Sequence, residues 1–396
     1  TKAAIAALAL AMATVFPATA QERTPLLKVS SNGRYLEAGG KPFFWLGDTG
    51  WLLLSKLNRE QVEDYFAARE REGFTVIQVM VLHRPEMANP LTGPALVDGD
   101  VARPRVTPGN DPSKPGEYDY WDHLDWVVDR AAAHGLYVAL VPAWGTFAEM
   151  RKLTVDNAPI YGRFLAERYK DKPNIVWING GDTHADMATL TWRALGETIK
   201  SIDHNHLMTF HPFGRTDSSW VFHDAAWLDF DMFQSGHQDY AQDTQRCAYG
   251  EDNWRYIEDD WKRRPAKPTI DGEPSYENIP HGLDFVQFPI WQAADARRYA
   301  WWSVLAGAFG HTYGENSVMQ FYTPGEKAAY WPKISWQDGL KAPGGGQMRF
   351  LKDLILSRPY FERIADQSLI VGNGTRYDRV AATRGTGYAI AYSYTG

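Results

Sequence analysis

Two acidic residues, Asp182 and Glu273, stand where a hydrolase would place its catalytic carboxyl groups. Asp182 ends the string NGGD after the apolar run from Ile175 to Asn179, and Glu273 follows the string TIDG. Cleavage of a glycosidic bond needs one carboxyl group that protonates the leaving oxygen and a second that meets the anomeric carbon. We therefore predict that Asp182 is the general acid and base and that Glu273 is the nucleophile of a retaining mechanism.

For this role Asp182 must stay protonated near neutral pH. Its pKa has to rise from about 3.9, which partial burial and the negative charge of Glu273 would achieve. A competing interpretation is that Asp182 only caps a helix, as Asp at a strand end often does. Gly180 and Gly181 are predicted to let the backbone approach the bound sugar. For Asp271 two interpretations stay open: it orients a neighbouring group, or it forms an ion pair with Arg or Lys.

Polar and aromatic side chains also follow most of the other apolar runs, where a (β/α)8 barrel carries its catalytic residues. Three tryptophans are candidate platforms for sugar rings: Trp51, Trp144 and Trp291. Six further side chains are predicted to hydrogen-bond the sugar at these strand ends. They are Asp48, His83, Asn179, His211, His237 and Glu315.

A metal-dependent hydrolase is the alternative enzyme class. The chain has 11 His, and four of them fall near predicted strand ends: His83, His211, His237 and His311. No His-x-His pair follows the first predicted strand, however, so we predict neither a metal site nor a cofactor. A third interpretation, a carbohydrate-binding protein without activity, is opposed by the presence of both carboxylates.

Eight short apolar runs alternate with helical segments between Phe43 and Met319. This pattern predicts an α/β fold, the parallel (β/α)8 or TIM barrel, with helices outside the strands. The predicted strands are Phe43–Gly47, Thr75–Leu82, Tyr137–Ala143, Ile175–Asn179, Leu207–His211, Phe230–Gln234, Pro268–Asp271 and His311–Gly314.

Helix boundaries and loops are also marked in the sequence. Asn58 is a predicted N-cap, Gly73 a C-terminal breaker, and a second helix is predicted from Tyr118 to His134. The segment from Met87 to Glu117, rich in Pro, Gly and Asp, is predicted to be a long loop. The segment from Arg215 to Trp227 is a poor helix and is predicted to be an elaborated loop.

The sequence changes character after Met319, which divides the chain into a barrel and a small C-terminal module. A Gly-rich joint, KAPGGGQMRF, leads into a predicted helix from Met348 to Leu356. The runs SLIVGN, RVAATR and YAIAYS then alternate with period two, which predicts an antiparallel β-module. We assign residues 21–345 to the barrel and residues 346–396 to a linker helix and the start of a β-sandwich. Because the pattern stops at YSYTG, we expect this module to be truncated.

Charge and cysteine content restrict partners and sites. The formal charge is −7 and no basic stripe occurs, which argues against a nucleic-acid partner. The single cysteine, Cys247, excludes an intrachain disulfide and zinc sites built from paired thiolates. We predict that its thiol is buried and inert.

The first twenty residues have the composition of a secretory signal peptide. Lys2 precedes a predominantly apolar run from Ala3 to Phe16, and the small residues from Ala18 to Ala20 fit a cleavage site. We expect cleavage before Gln21 and a secreted or periplasmic protein. The apolar run is too short to span a bilayer. We therefore expect no membrane insertion once residues 1–20 are removed.

The chain resembles the apiosidase-like family of bacterial barrel hydrolases, glycoside hydrolase family 140, in three strings: FFWLGDTGWLLLSKLNREQVEDYFAAREREGFTVIQV, NIVWINGGD and TIDGEPSYE. The similarity covers residues 27–360, and the tail resembles the collagen-binding-like β-sandwich that follows the barrel in that family. This resemblance implies cleavage of apiose linkages in the pectic polysaccharide rhamnogalacturonan II. It places the acid at Asp182 and the nucleophile at Glu273.

One departure concerns the stereochemical outcome. Barrel glycosidases of clan A carry an Asn-Glu pair after the fourth strand, whereas this chain has the shorter Asp182. Retention or inversion therefore depends on the distance between the two carboxyl groups, about 5 to 5.5 Å for retention and about 6.5 to 9.5 Å for inversion.

Overall fold

The computed structural model describes residues 24–114, 116–244, 248–284 and 286–396. The predicted signal peptide, residues 1–20, and the predicted inert thiol of Cys247 lie outside this part of the chain. The described residues form a (β/α)8 barrel with one small antiparallel sheet before it and another after it.

Eight parallel strands, β1 to β8, form the barrel, and each coincides with one of the predicted apolar runs. Their side chains are almost all buried, as expected for strands with helices outside and other strands beside them. The bounds are Trp45–Thr49 (β1), Val76–Met80 (β2), Tyr137–Val141 (β3), Ile175–Thr183 (β4), Met208–Pro212 (β5), Asp231–Gln234 (β6), Thr269–Asp271 (β7) and Gly310–Tyr313 (β8).

The ring of strands closes through ladders and through single hydrogen bonds. Parallel ladders join β5, β4, β3, β2, β1 and β8 in that order, and another ladder joins β6 to β7. The Asp229 N–H donates to the Met208 carbonyl (2.8 Å) between β6 and β5, and the Phe309 N–H donates to the Thr269 carbonyl (3.2 Å) between β8 and β7. The carboxyl ends of all eight strands therefore meet at one face of the barrel.

Eleven α-helices lie around the strands. They are Leu53–Lys56 (α1), Arg59–Glu72 (α2), Tyr120–Ala133 (α3), Thr146–Glu149 (α4), Ala158–Tyr169 (α5), Thr189–Ile202 (α6), Ser219–Phe222 (α7), Trp254–Lys262 (α8), Ala293–Ala306 (α9), Trp336–Gly339 (α10) and Pro343–Leu356 (α11), counted within the described ranges. Asn58 caps α2 in a reciprocal capping box with Gln61, and Gly73 ends it in the left-handed conformation. Asp119 caps α3 in the same way.

The two segments predicted as loops contain little regular structure. Within residues 87–117 the pair Ala88–Asn89 meets Gly93–Pro94 in a two-residue antiparallel ladder. The Asn89 side chain donates to the carbonyls of Leu54 and Leu57 at 2.8 and 3.0 Å, which fastens this loop to α1. Residues 215–227 contain only a two-residue strand, Thr216–Asp217, and the single turn α7.

An antiparallel sheet precedes the barrel. Its strands are Leu27–Val29, Leu36–Ala38 and Lys41–Phe43. The Tyr137 hydroxyl, at the start of β3, donates to the Pro25 carbonyl, so this sheet lies at the amino ends of the barrel strands, away from their carboxyl ends. No helix in the described ranges has the length and apolarity needed to cross a membrane.

The C-terminal module is a three-stranded antiparallel sheet of Ile364–Ala365, Val380–Gly385 and Tyr388–Ser393. Its hairpin comes from the predicted runs RVAATR and YAIAYS. The prediction of a strand at SLIVGN is wrong, because Gln367–Leu369 forms a short 3-10 helix there. Asp366 causes this turn by accepting a hydrogen bond from the Ser368 N–H at 3.1 Å.

The predicted Gly-rich joint is helical. Helix α11 begins at Pro343 and not at Met348. Proline is favoured in the first turn of a helix, and the Gly344 N–H donates to the Glu277 carboxylate at 2.9 Å. A Cβ at Gly344 would lie 2.2 Å from that carboxylate, so glycine is required for the helix to start against the barrel.

A buried ion pair fastens α2 to β1. Asp48 and Arg69 are both buried, and 2.6 Å separates Asp48 Oδ2 from Arg69 Nε. The Tyr65 hydroxyl donates to the same Asp48 oxygen at 2.6 Å. Glu72 contacts the other edge of the guanidinium at 2.6 Å. Loss of Asp48 would leave much of the Arg69 charge buried without its partner.

We expect Asp48→Ala to lower the free energy of unfolding by about 3 to 5 kcal/mol, the usual cost of breaking a buried pair by removing one charge. Urea denaturation measures this loss. The control is Glu326→Ala, which breaks an exposed pair with Lys56 and should cost less than about 1 kcal/mol. If both variants lose a similar, small amount of unfolding free energy, the buried ion pair does not stabilise the packing of α2 on β1.

Candidate active site

The carboxyl ends of the barrel strands surround a pocket that contains both predicted catalytic carboxyl groups. Its volume is about 300 Å³. Asp182, near the end of β4, and Glu273, two residues after β7, both lie on its wall. The pocket therefore presents two carboxyl groups from opposite parts of the ring, the arrangement that two-carboxylate hydrolysis needs.

Glu273 is ionised because two imidazole rings face it. His211 Nε2 lies 3.0 Å from Glu273 Oε2, and His237 Nε2 lies 3.2 Å from Glu273 Oε1. Burial alone would raise the pKa of Glu273. The hydrogen bonds and charges of the two imidazoles outweigh burial and lower this pKa to about 2. Glu273 therefore carries the negative charge that a nucleophile needs.

A backbone contact sets the tautomer of His211. The Asp182 N–H donates to His211 Nδ1 at 3.4 Å, so Nδ1 is the nitrogen without a hydrogen when the ring is neutral. The ring hydrogen then lies on Nε2, which faces Glu273. His211 is fully buried, so it acts on a substrate through Glu273 and not through the predicted direct contact.

His237 and His83, which were predicted to hydrogen-bond the sugar, lie on the pocket wall. The carbonyl of His237 accepts hydrogen bonds from the Gly282 N–H at 2.7 Å and from Trp291 Nε1 at 3.0 Å, which fix the ring against Glu273. Burial, and next the charge of Arg84, lower the pKa of His83. His83 is therefore a neutral ring that can exchange hydrogen bonds with a sugar.

Between about pH 2 and pH 6 Asp182 has the opposite protonation state to Glu273, and above about pH 6 it loses the proton that it was predicted from the sequence to keep near neutral pH. Burial, and next the negative charge of Glu273, raise its pKa to about 6. The charges of His211 and His237 and a hydrogen bond from Gln234 oppose this rise without cancelling it. The φ angle of Asp182 is 47°, a left-handed conformation that costs on the order of 1 to 3 kcal/mol and that clusters at functional sites.

The two glycines before Asp182 make room for aromatic rings. Their φ angles are 81° at Gly180 and 119° at Gly181. A Cβ at Gly180 would lie 2.5 Å from the Phe210 ring, and a Cβ at Gly181 would lie 2.4 Å from the Trp144 ring. Gly180 and Gly181 were predicted to let the backbone approach the sugar. In the structure they instead allow the Phe210 and Trp144 rings to pack closely against the backbone before Asp182.

Trp51 and Trp144 lie side by side on the pocket wall. Their ring centroids are 5.3 Å apart, and each is 5.5 Å from the ring of His211. Trp51 Nε1 donates to the Tyr276 hydroxyl at 2.8 Å, and this hydroxyl also faces Glu273. Because Trp51 is 3% and Trp144 8% exposed, only a small part of each ring is open to a sugar.

Asp48 and Asn179 do not line the pocket, although both were predicted to contact substrate. Asp48 is buried in its ion pair with Arg69. Asn179 is also buried, and its side-chain amide donates to the Trp192 carbonyl at 2.8 Å. These contacts satisfy buried polar groups, and they give both residues a structural role in place of substrate binding.

Glu315 and Trp291 are likewise buried outside the pocket. The Glu315 carboxylate accepts hydrogen bonds from the N–H groups of Ser317 and Val318 at 2.8 and 2.9 Å, which shapes the turn after β8. Trp291 stacks on the His281 ring with 3.8 Å between centroids. Its Nε1 donates a hydrogen bond to the His237 carbonyl, so Trp291 holds His237 in place and does not contact a sugar in the pocket.

Asp271 orients its neighbours, one of the two roles considered for it. Its carboxylate accepts hydrogen bonds from Ser235 Oγ at 2.7 Å and from Asn253 Nδ2 at 3.0 Å. Burial raises its pKa to about 6, although these hydrogen bonds oppose the rise. Asp271 thus ties β7, which leads to Glu273, to the loop that carries His237.

Several pocket residues were not predicted as substrate contacts. Tyr330, in the long loop after β8, faces both carboxyl groups: burial, and next the negative charges of Asp182 and Glu273, raise its pKa. Gln234 ends β6, so the strand-end rule could have identified it. No strand end or periodicity marks Tyr330. The other such residues with polar or aromatic side chains are Phe213, Arg215, Gln238, Tyr276 and Gln320.

The histidines near strand ends do not form a metal centre. In the described ranges, no group of three or more His, Cys, Asp or Glu side chains is arranged to hold a metal ion. His311 is buried, and its Nδ1 lies 3.2 Å from Ser303 Oγ. Burial lowers the pKa of His311 to about 3, which fits a structural ring in the barrel interior.

Comparisons with protein families place the whole described barrel in one family. The model of the apiosidase-like catalytic domain matches residues 30–362. A second model, of a collagen-binding-like domain of a collagenase, matches residues 364–396. No curated protein matches the chain.

Solved structures with the same fold include close relatives. A protein described as a glycoside hydrolase is 49% identical, with a TM-score of 0.87 over 93% of this chain and 83% of that chain. A glycoside hydrolase family 5 protein from Bacteroides vulgatus ATCC 8482 is 46% identical, with a TM-score of 0.87 over 93% of this chain and 80% of its own. An endo-1,4-beta-D-mannanase from Thermotoga petrophila RKU-1, 13% identical, shares the fold, with a TM-score of 0.53 over 79% of this chain and 100% of its own.

The catalytic-domain match spans both carboxyl groups and the strands that carry them. The two relatives at 49% and 46% identity are glycoside hydrolases, and hydrolysis of a glycosidic bond is the chemistry for which an anionic Glu273 and a protonated Asp182 are suited. The chain therefore belongs to the apiosidase-like family and is a glycoside hydrolase.

Proposed function

We propose that this protein is a secreted enzyme of glycoside hydrolase family 140 that cleaves apiose linkages in pectic polysaccharide with retention of configuration. The observation that carries the mechanism is the opposite protonation of two carboxyl groups in one pocket. Glu273, with a pKa of about 2, is anionic, and Asp182, with a pKa of about 6, holds a proton in mildly acidic solution. Separated pKa values of this kind assign the acid and the nucleophile.

In the first step Glu273 attacks the anomeric carbon, and the bond from that carbon to the leaving oxygen breaks. The leaving oxygen takes the proton of Asp182, so the first product leaves as a neutral alcohol and a glycosyl ester remains on Glu273. His211 and His237 contact one carboxylate oxygen each. They hold the nucleophile in one orientation, which lowers the entropic part of the barrier.

In the second step Asp182, now anionic, takes a proton from water. The water oxygen attacks the anomeric carbon, the ester bond to Glu273 breaks, and Asp182 is protonated again. Each displacement inverts the carbon, so two displacements restore the original configuration.

The pKa of Glu273 favours this mechanism over a single inverting displacement. An inverting enzyme would use Glu273 as a general base toward water, and a general base works best when its pKa is close to the operating pH. A pKa of about 2 makes Glu273 a weak base. The same ionised carboxylate is a suitable nucleophile, because attack on carbon requires the charge and not a proton transfer.

The proposed substrate rests on the family match and on the chemistry of the pocket. The matching domain is described as apiosidase-like. Phe213 and Tyr330 line the pocket and add aromatic surface to the small exposed parts of Trp51 and Trp144, and sugar rings pack on aromatic surfaces through their C–H faces. Arg215, also on the wall, is paired with Asp243 on one edge, and its other guanidinium N–H groups can donate to the oxygens of a sugar, including the carboxylates of acidic sugars in pectin.

We expect Asp182→Asn to lower kcat/KM by about 10²- to 10⁴-fold, the usual contribution of a general acid or base, and Glu273→Gln to cause at least as large a loss. Hydrolysis of a panel of pectic oligosaccharides measures both, with circular dichroism to show that folding is kept. The matched control is Asp186→Asn, which changes an exposed Asp four residues beyond Asp182 and should leave turnover unchanged. Wild-type rates in either active-site variant would remove that residue from the mechanism.

Azide separates the two roles in the same experiment. With Asp182→Ala, azide should restore turnover and give a glycosyl azide of the substrate's configuration, because it replaces the water of the second step. With Glu273→Ala it should give the opposite configuration by direct attack. A wild-type first product of inverted configuration in proton NMR would rule out retention.

We expect kcat/KM to fall as pH rises through about 6. The pKa of Asp182 is raised, the protonated form is the active one, and activity is therefore present below this pKa and lost above it. On the acid side, activity should persist until Glu273 is protonated near pH 2 or the protein unfolds. Initial rates between pH 3 and 9 measure the profile, and a plateau that extends above pH 8 would contradict the assignment of Asp182 as the acid.

We expect the exported protein to begin at Gln21, because residues 1–20 have the three-part pattern that signal peptidase recognises. Expression of the full chain in a bacterium and N-terminal sequencing of the exported fraction test this. Exported protein that still carries residues 1–20 would contradict cleavage before Gln21. Protein found only in the cytoplasm would contradict secretion.

A further inference from the structure

The loop between β6 and α8 forms one wall of the active-site pocket. Gly236, His237 and Gln238 on this loop line the pocket. Asp243, further along the same loop, contacts Arg215 with 2.9 Å between Arg215 Nη1 and Asp243 Oδ1, and Arg215 also lines the pocket. The position of residues 238–243 therefore decides where two polar side chains, those of Gln238 and Arg215, meet a substrate.

Glu251 is a buried residue that anchors this loop, in addition to the contact of His281 with Asp239 at 3.0 Å. Its Oε1 accepts a hydrogen bond from the Tyr240 N–H at 2.7 Å. The same oxygen accepts a hydrogen bond from the hydroxyl of Tyr377, in the C-terminal module, at 3.1 Å. Its Oε2 contacts the guanidinium of Arg298 in α9, and Glu251 and Arg298 are 1% and 0% exposed. One buried carboxylate thus joins the pocket loop, the barrel and the module.

The module also contacts the loop directly. The rings of Tyr377 and Tyr240 meet edge to face with 5.2 Å between centroids. The guanidinium of Arg376 lies 5.0 Å from the centroid of the Tyr240 ring, within the range of a cation–π contact. The Tyr240 hydroxyl donates to Asp252 at 2.6 Å, which holds this ring from its other end.

We propose that the C-terminal module is part of the substrate-binding apparatus, in which Tyr377 and Arg376 position the pocket wall of residues 238–243 through Glu251 and Tyr240. The inference rests on the glycosidase function proposed above but not on the identity of the sugar. Tyr377 is a positioning residue, since it contacts the anchor of the loop and not the pocket.

The contacts of His237 separate this role from catalysis. Its carbonyl is held by Gly282 and Trp291, at 2.7 and 3.0 Å, independently of Glu251. The His237 ring therefore keeps its place beside Glu273 when the anchor at Tyr240 weakens. Loosening of residues 238–243 should weaken substrate binding through Gln238 and Arg215, and it should leave the bond-breaking steps unchanged.

The test is Tyr377→Phe, which removes one hydroxyl and keeps the ring. We expect KM to rise by about three- to tenfold, the effect of one ordinary net hydrogen bond, while kcat and its pH profile stay at wild-type values. The matched control is Tyr388→Phe in the same module, whose hydroxyl donates to the Pro359 carbonyl at 3.2 Å and is remote from the loop. This control should leave KM unchanged.

Hydrogen exchange gives a second measurement that needs no substrate. In Tyr377→Phe the amide of Tyr240, whose acceptor is Glu251, should exchange faster than in wild type, and in Tyr388→Phe it should not. A double variant of Tyr377→Phe with Gln238→Ala should raise KM by less than the product of the single effects, because both act through one wall.

Unchanged KM or unchanged exchange at Tyr240 in Tyr377→Phe would overturn the proposal, as would a fall in kcat with KM unchanged. Kinetics are measured on whichever oligosaccharide the wild type cleaves, so a different sugar would refute the pectic assignment alone. If the wild type cleaves none, the glycosidase function fails, and exchange at Tyr240 still decides whether the module positions the loop.

Discussion

In mildly acidic solution two carboxyl groups in one pocket hold a single proton between them, and the surrounding residues fix which group holds it. Burial acts in the same direction on both and favours the neutral acid. Two imidazoles, His211 and His237, contact Glu273 and reverse this effect for Glu273 alone. The resulting charge on Glu273 then helps to keep Asp182 protonated. The pKa of Asp182 thus depends on the charge of Glu273 as well as on burial.

Contacts between barrel strands hold Asp182 and Glu273 in fixed positions. His211 bridges the pair, since the Asp182 N–H donates to one ring nitrogen and Glu273 contacts the other. Glycine at position 181 allows the Trp144 ring to pack beneath Asp182. The Gln78 side chain in β2 donates to the Gly272 carbonyl at 2.9 Å, which anchors the residue before Glu273. Most of these contacts join different strands, so the site requires the closed ring.

The sequence predicted the barrel and its two carboxyl groups for the same physical reason. Strands buried on both faces leave continuous apolar runs, and the polar residues that end these runs meet at one face. The same rule misplaced Asp48 and Asn179, because successive side chains of a strand point to opposite sides and the rule does not say which side a given residue faces. Asp48 points outward to Arg69 in α2.

The strand-end rule could not identify site residues that lie in loops beyond the strand ends. Tyr330 reaches the pocket from a long loop whose path depends on tertiary contacts, such as the hydrogen bond from Asn316 to its carbonyl at 2.8 Å. The run SLIVGN alternates like a strand, but the side chain of Asp366 competes for the backbone and turns it. The contact of Tyr377 with Glu251 joins residues far apart in the chain and leaves no local pattern.

The most direct test of this account is a carbon-13 NMR titration of the Asp182 carboxyl carbon in wild type and in Glu273→Gln. We predict titration near pH 6 in wild type. In Glu273→Gln we predict a lower pKa that still exceeds the ordinary value of about 3.9, because the neighbouring charge is gone and burial remains. An ordinary pKa for Asp182 in wild type, or one that Glu273→Gln leaves unchanged, would contradict the division of one proton between the two groups.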